Sequence, residues 1–267
     1  MTLLISWIGV DDNKEGKLPA SLYIASDSRF SWSNKTTFET GIKTFGCINS
    51  PEIFGFCGDV LLPTTILNGV TSQIDAGLLF SSNYTAYQKK LAIEEIIKSN
   101  IDSYPIEKTT GQFTIIYGTR IEQKFSCFKY TLNPTEGFKT EDVDLPNIST
   151  VIYSGGSGGD EFDSNFIAYK SDKENNSRTS RGVYHCLIKT FKSIKDKRTG
   201  TVPQIMGLYR NKNRILFGII SNGKRYTNGF EVNENLKLDG IEWRNDNFER
   251  VNPEDFKLLQ GAQRKPF

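Results

Sequence analysis

Apolar positions come in two periods along this chain, and the period switches several times. Thr2 to Val10 is an apolar, partly β-branched run that reads as a buried strand. Asp11 to Lys17 is polar and contains a glycine, which predicts a long hairpin loop. Ser21 to Ser26 is then the partner strand. A second strand pair, Thr44 to Ile48 and Ile53 to Cys57, flanks the turn sequence Asn49-Ser50-Pro51-Glu52. From Ile66 the spacing becomes helical, with Leu67, Val70, Ile74 and Leu78 recurring at three and four residues, and Tyr84 to Ser99 predicts a second helix. Strand patterns return at Gln112 to Gly118 and Lys124 to Tyr130, while Asn133 to Ser149 is polar and reads as irregular or edge structure. Val151 to Tyr153 is a short strand that enters a glycine-rich turn. Glu161 to Tyr169 and Arg181 to Ile194 predict two more helices, and Gln204 to Tyr209 with Arg214 to Ile220 form a last hairpin.

The order is strands, two helices, strands, two helices, strands. That is neither alternating βαβ nor all-β, and it fits an α+β fold of two sheets with a helix pair on each outer face. Residues 1–220 read as one domain. The more polar residues 221–267 read as a C-terminal extension packed on it or projecting from it, with a short helix at Pro253 to Leu259.

Composition narrows the function classes. A chain of 267 residues with 37% hydrophobic and 12% aromatic residues supports a sizeable core. The net charge is +2 and the basic residues are scattered, which argues against a nucleic-acid partner. No run approaches the roughly 18 apolar residues of a membrane span, and the N-terminus lacks a basic region and a cleavage site, so the expected location is the cytoplasm. The four cysteines form no CxxC pair and sit among apolar or strand-like residues, which predicts buried thiols in a reducing compartment. With one histidine, His185, a zinc cluster is not expected, and no cofactor is implied. His185 falls beside the apolar stripe of its helix, so a hydrolase on this chain needs a base other than histidine.

Candidate chemistry begins at Thr2. Removal of Met1, permitted by the small second residue, leaves a hydroxyl and a free α-amine on one residue at the head of a buried strand. An α-amine with a pKa of roughly 7.7–8.0 serves as a base without histidine. Ala25-Ser26-Asp27-Ser28-Arg29 closes the second strand, and Lys43 precedes the third. A hairpin brings the end of strand two beside the start of strand one, so Asp27 and Lys43 are expected near Thr2. There a lysine ammonium lowers the hydroxyl pKa and the aspartate fixes the lysine.

The succession Thr2, Ala-Ser-Asp-Ser-Arg, Lys43 and Gly-Phe-Cys-Gly-Asp resembles the N-terminal third of proteasome β subunits, which are N-terminal-nucleophile (Ntn) hydrolases. The spacing from Asp27 to Lys43 is similar to the family's, while Asp11 to Ala20 is an insertion in its first hairpin. The resemblance continues in Gly156-Ser157-Gly158, similar to the family's Gly-Ser-Gly turn, and in Asp196-Lys197-Arg198-Thr199-Gly200, similar to its Asp-x-x-Ser-Gly with threonine for serine.

The resemblance implies a four-layer αββα sandwich with Thr2 as nucleophile. Asp27 and Lys43 would be its activators and Gly58 the oxyanion-hole residue. Ser157, Asp196 and Thr199 would arrange the amine. Ser154 competes with Ser157 for the turn, and the amine and Lys43 compete as base. The implied activity is threonine-type endopeptidase acting on peptides or unfolded proteins within a homo-oligomer, with an ATPase partner possible. A non-catalytic structural subunit and an amidase acting on a non-peptide substrate are the alternatives. The neighbourhood of Thr36, Phe45, Ile53 and Cys57 is expected to shape an apolar specificity pocket.

Overall fold

Strand β1 (Leu4–Asn13) is apolar on both faces, and the fold follows from that. Leu3, Ile5 and Trp7 point one way into one cluster, while Leu4 and Ile8 point the other way into a second. A strand with two apolar faces must be covered on both. The computed structural model describes residues 2–13, 16–32, 36–105, 111–171, 178–194, 199–200, 202–233 and 240–262. Antiparallel pairing dominates its sheets, and among the described residues four helices accompany them, so the fold is α+β.

β1 pairs with β2 (Gly16–Asp27) from Leu4↔Ser26 to Asn13↔Gly16. The strands thus run on through Asp11, Asp12 and Lys17, and the long loop expected there is absent: Gly16, at φ +105, allows the chain to turn late. The remaining strands of this sheet are β10 (Thr150–Gly155), β11 (Pro203–Tyr209), β12 (Lys212–Ser221), β13 (Lys224–Thr227) and β14 (Phe230–Glu231). Their order is β10-β1-β2-β11-β12-β13-β14, and β15 (Ile241–Asn245) pairs parallel with β12. The second sheet runs β5 (Thr44–Gly46), β6 (Glu52–Gly58), β7 (Phe113–Ile121), β8 (Lys124–Asn133) and β9 (Gly137–Val143). The polar segment read as edge structure does supply the edge strand, β9.

Three apolar clusters bind these parts. One joins β1, β2, β11 and β12 to α3 (Gly159–Ser171) and α4 (Ser180–Ser193). Another joins the second sheet to α1 (Leu61–Asp75) and α2 (Ala86–Ser103). The third lies between residues of the two sheets, including Leu4, Ile24, Ile53, Ile116 and Met206. Fully burying one such aliphatic side chain stabilises by roughly 1.5–3 kcal/mol. Side-chain caps mark the starts of α2 and α4: the Thr85 hydroxyl accepts from the Gln88 N–H at 3.2 Å in a capping box, and Thr179 accepts from the Gly182 N–H at 3.0 Å.

Two features lay outside the periodic signal. Residues Phe30–Trp32 (β3) and Thr36–Phe38 (β4) form a small hairpin of their own. Residues after Ser221 add strands to the first sheet, and Phe248 is buried in the core against α4. The helix expected at Pro253 to Leu259 does not form. One helical bond forms, from the Phe256 N–H to the Asn252 carbonyl at 2.9 Å, but Asn252 and Asp255 side chains accept from backbone N–H groups two residues on, at 2.8 and 3.1 Å, and Phe256 at φ +60 stops the turn from continuing. All four cysteines are buried and none forms a disulfide.

Candidate active site

Thr2 is 1% exposed, immediately ahead of β1. The next residue ties it down: the Leu3 N–H donates to Asp27 Oδ1 at 3.0 Å, and the Asp27 N–H donates to the Leu3 carbonyl at 3.3 Å. Asp27 Oδ1 also accepts from Lys43 Nζ at 3.0 Å, and Oδ2 accepts from the Arg29 N–H at 3.0 Å and the Gly200 N–H at 2.9 Å. Four donors satisfy this buried carboxylate, three of them backbone amides that cannot swing away. Lys43 is wholly buried, a rare state for lysine. Its Nζ also donates to the Arg29 carbonyl at 2.5 Å and lies 5.6 Å from the centre of the Phe30 ring. Burial lowers the Lys43 pKa, and the Asp27 charge opposes that shift.

The turn after β10 closes over the same residues. Gly156 has φ +83, and a Cβ there would stand 2.0 Å from the Thr2 carbonyl oxygen, so only glycine fits. The Gly158 N–H donates to that carbonyl at 3.3 Å. A Cβ on Gly158 would lie 3.3 Å from the Thr199 hydroxyl, which places residue 199 against the turn. Ser157 Oγ and Thr199 Oγ1 are both buried without a hydrogen bond, and an unpaired buried hydroxyl in a native fold calls for an explanation. Ser154 points elsewhere: its hydroxyl donates to Asp163 Oδ1 at 2.6 Å. Gly58 ends β6 at φ +100, where a Cβ would be 2.1 Å from the Gln112 carbonyl oxygen. Asp196 lies outside the described residues.

No family model matches the chain, and no curated protein matches it in sequence. Solved structures do. The chain resembles Anbu in fold. Anbu (ancestral beta-subunit) from Yersinia bercovieri superposes with a TM-score of 0.52 at 13% identity, covering 85% of this chain and 86% of that one. The Anbu complex from Pseudomonas aeruginosa, solved as a helical assembly, gives a TM-score of 0.50 at 14% identity, with 87% of each chain covered. At such identity the likeness concerns fold.

Gln204 is not among the site residues expected from sequence, Arg29 enters there only as a member of a motif, and Cys57 only in a motif and in the neighbourhood expected to shape the pocket. Gln204, 1% exposed on β11, accepts from the Lys43 N–H at 3.0 Å and donates to the Gly41 carbonyl, so it fixes the segment that delivers Lys43. A polar residue inside an apolar strand was its available signal. Arg29 pairs with Glu39 through Nε at 2.8 Å and donates to the Thr199 carbonyl at 3.2 Å. Cys57 faces Tyr153 Oη at 3.7 Å, and its Cβ would lie 3.3 Å from a Cβ on Gly156, which sets it beside Thr2. Burial raises the Cys57 pKa. The expected specificity pocket is not gathered in one place: Phe45 packs against the α1 side, Ile53 packs between the sheets, and Thr36 is exposed on β4. Among the described residues there is no cluster of ligands that could hold a metal ion, and no helix is long and apolar enough to cross a membrane.

Proposed function

We propose that this protein is an N-terminal-nucleophile hydrolase that cleaves peptide bonds with Thr2 once Met1 is removed. The observation that carries the proposal is the pairing at Asp27: one carboxylate oxygen holds both the backbone of the residue next to Thr2 and the buried ammonium of Lys43. In this reading the freed Thr2 amine takes the hydroxyl proton and Thr2 Oγ attacks the substrate carbonyl. Gly58 supplies an N–H to the oxyanion. The amine product leaves with the transferred proton, and water then hydrolyses the Thr2 ester. Lys43 donates to two acceptors, the Asp27 carboxylate and the Arg29 carbonyl, which favours a donor role and the amine as base. Ser157, Thr199 and Asp196 would hold the amine; the two unpaired buried hydroxyls support that role for Ser157 and Thr199.

The same reading takes the three apolar clusters as a four-layer αββα sandwich in residues 1–220, with 221–267 as an extension packed on it. Likeness to the Pseudomonas aeruginosa Anbu complex, solved as a helical assembly, supports a homo-oligomer. In the same reading it acts on peptides or unfolded chains in the cytoplasm, and an ATPase partner is an option that the reading leaves open. Intact mass spectrometry of untagged protein with an epoxyketone or β-lactone tests the nucleophile. Loss of Met1 and one covalent adduct, absent in Thr2→Ala, is expected. A trimmed chain that never labels overturns the assignment.

A further inference from the structure

At the far end of β1 from Thr2 lies a cavity of about 690 Å³ with a different chemistry. Its walls carry four arginines, Arg178, Arg181, Arg210 and Arg244. Among the described residues its lining holds a single carboxylate, Asp11. Gly9 forms part of the wall seven positions along from Thr2, which at about 3.3 Å per residue is roughly 23 Å away. This cavity is therefore separate from the candidate active site.

The local construction breaks two habits of folded proteins. Cations are disfavoured at the positive end of a helix dipole, yet Arg178 and Arg181 flank the start of α4, and no acidic residue occupies its first turn. The first turn of α3 carries Asp160 and Glu161 in the ordinary way. Gly9 is the second departure. A Cβ there would stand 2.3 Å from the Ser21 hydroxyl and 2.4 Å from the Ser180 hydroxyl, so its absence lets both reach the cavity wall over bare backbone. Local rules broken without a visible structural gain are expected where a protein has a function to serve.

Not every arginine is free to act. Arg244 is engaged by Glu242 and Tyr209 and by the Phe248 carbonyl, and it serves as a fixed positive wall. Arg181 feels Glu249. Arg210 differs: its Nε and Nη2 donate to the neutral carbonyls of Pro19 and Leu18 at 3.0 and 3.3 Å, which orient the guanidinium, and no carboxylate among the described residues pairs with it. Arg178 is exposed at the rim.

We propose that this cavity binds a phosphoryl-bearing anion, either inorganic phosphate or a small phosphorylated molecule. Arg178, Arg181 and Arg210 would meet the phosphoryl oxygens at the start of α4, with the Ser21 and Ser180 hydroxyls as further donors. Guanidinium forks match phosphate geometry, helix N-termini favour anions, and the volume is that of a small-molecule site.

Calorimetric titration of the full chain with inorganic phosphate and with pyrophosphate tests this, using Arg178→Gln and Ser180→Asp. The second variant places a carboxylate at the helix start, which favours the fold by the dipole rule while repelling an anion. Saturable binding to wild type, weakened roughly tenfold or more in each variant, is expected. Tighter pyrophosphate than phosphate binding identifies a phosphorylated molecule as the ligand class, and equal binding identifies a single phosphoryl group; both support the site. Binding of neither probe at millimolar concentration, or binding indifferent to both substitutions in variants that melt like wild type, overturns it. Threonine labelling of the same samples reports separately on the active site.

Discussion

Among the described residues two lysine–carboxylate pairs are buried, one joining the two sheets and one joining α2 to the second sheet, and their difference is instructive. Asp27 at the end of β2 and Lys43 just ahead of β5 have side chains wholly buried, and Lys89 on α2 and Glu52 on β6 are nearly as buried. Burial alone does not separate them. Their partners do. Asp27 is held by three backbone amides as well as by Lys43. Glu52 is held by side chains: Lys89 Nζ at 2.5 Å, Tyr117 Oη at 2.6 Å and Ser50 Oγ at 3.2 Å. Amides fix a carboxylate to the backbone frame, whereas flexible side chains pin a helix to a sheet. The surroundings divide in the same way. Lys89 lies 5.2 Å from the centre of the Phe80 ring, whereas the carboxylate partner of Lys43 also binds the amides of Leu3 and Gly200, next to Thr2 and to the unpaired Thr199 hydroxyl. Breaking a buried pair is strongly unfavourable, so neither is a casual ornament. The Asp27 pair has the fixity that chemistry requires; the Glu52 pair serves the fold.

The largest expected effect separates the two pairs outright. Thr2→Ala should lower peptidase turnover by a factor on the order of 10⁴ or more with little change in melting, measured with a fluorogenic peptide and by calorimetry. Lys89→Met should leave turnover per folded molecule unchanged while costing about 3–5 kcal/mol of stability, because Glu52 stays buried without its cation. Adding Glu52→Leu should recover part of that loss in chemical denaturation. A Lys89→Met protein that folds well and loses turnover would erase the distinction.

A titration sharpens the comparison. Burial lowers the Lys43 pKa below its ordinary 10.5, so between the two values the unfolded chain binds the proton that the folded chain has released. Stability should therefore rise with pH across the window ending near 10.5, and this component should be missing from Lys43→Met. The denaturation gap between wild type and that variant should widen from neutral pH to about pH 10; a constant gap would mean that Lys43 keeps its proton. The smallest effect concerns the glycine turn. Ser157→Ala should reduce turnover by roughly ten- to a hundredfold, and Ser154→Ala should leave it unchanged, since Ser154 is already bound to Asp163. The reverse result would exchange their places.

Long, strongly periodic segments were legible before any coordinates. The four helices stand within a few residues of their apolar stripes, and β1 reads as buried because both of its faces are apolar. Short pieces with polar composition were not: β3, β4 and the strands after Ser221 are held by pairing to neighbours and not by their own pattern. Thr2, Asp27 and Lys43 could be singled out because the candidate chemistry needs those residue types in that order. Gln204 and the contact of Arg29 with Thr199 could not, since both act through backbone groups of residues distant in sequence, and such contacts leave no local spacing to read. The helix expected at Pro253 was overruled by asparagine and aspartate side chains bonding their own backbone.

The amide of Gly200 reaches back 173 positions to Asp27. A ribosome making this chain has released the threonine and the lysine long before it adds that glycine. Until then the Asp27 carboxylate lacks one of its four donors. Synthesis thus has a built-in clock: a residue made second waits for one made two hundredth before its surroundings are complete, and a chain cut short of that point carries an N-terminal threonine beside an unfinished site.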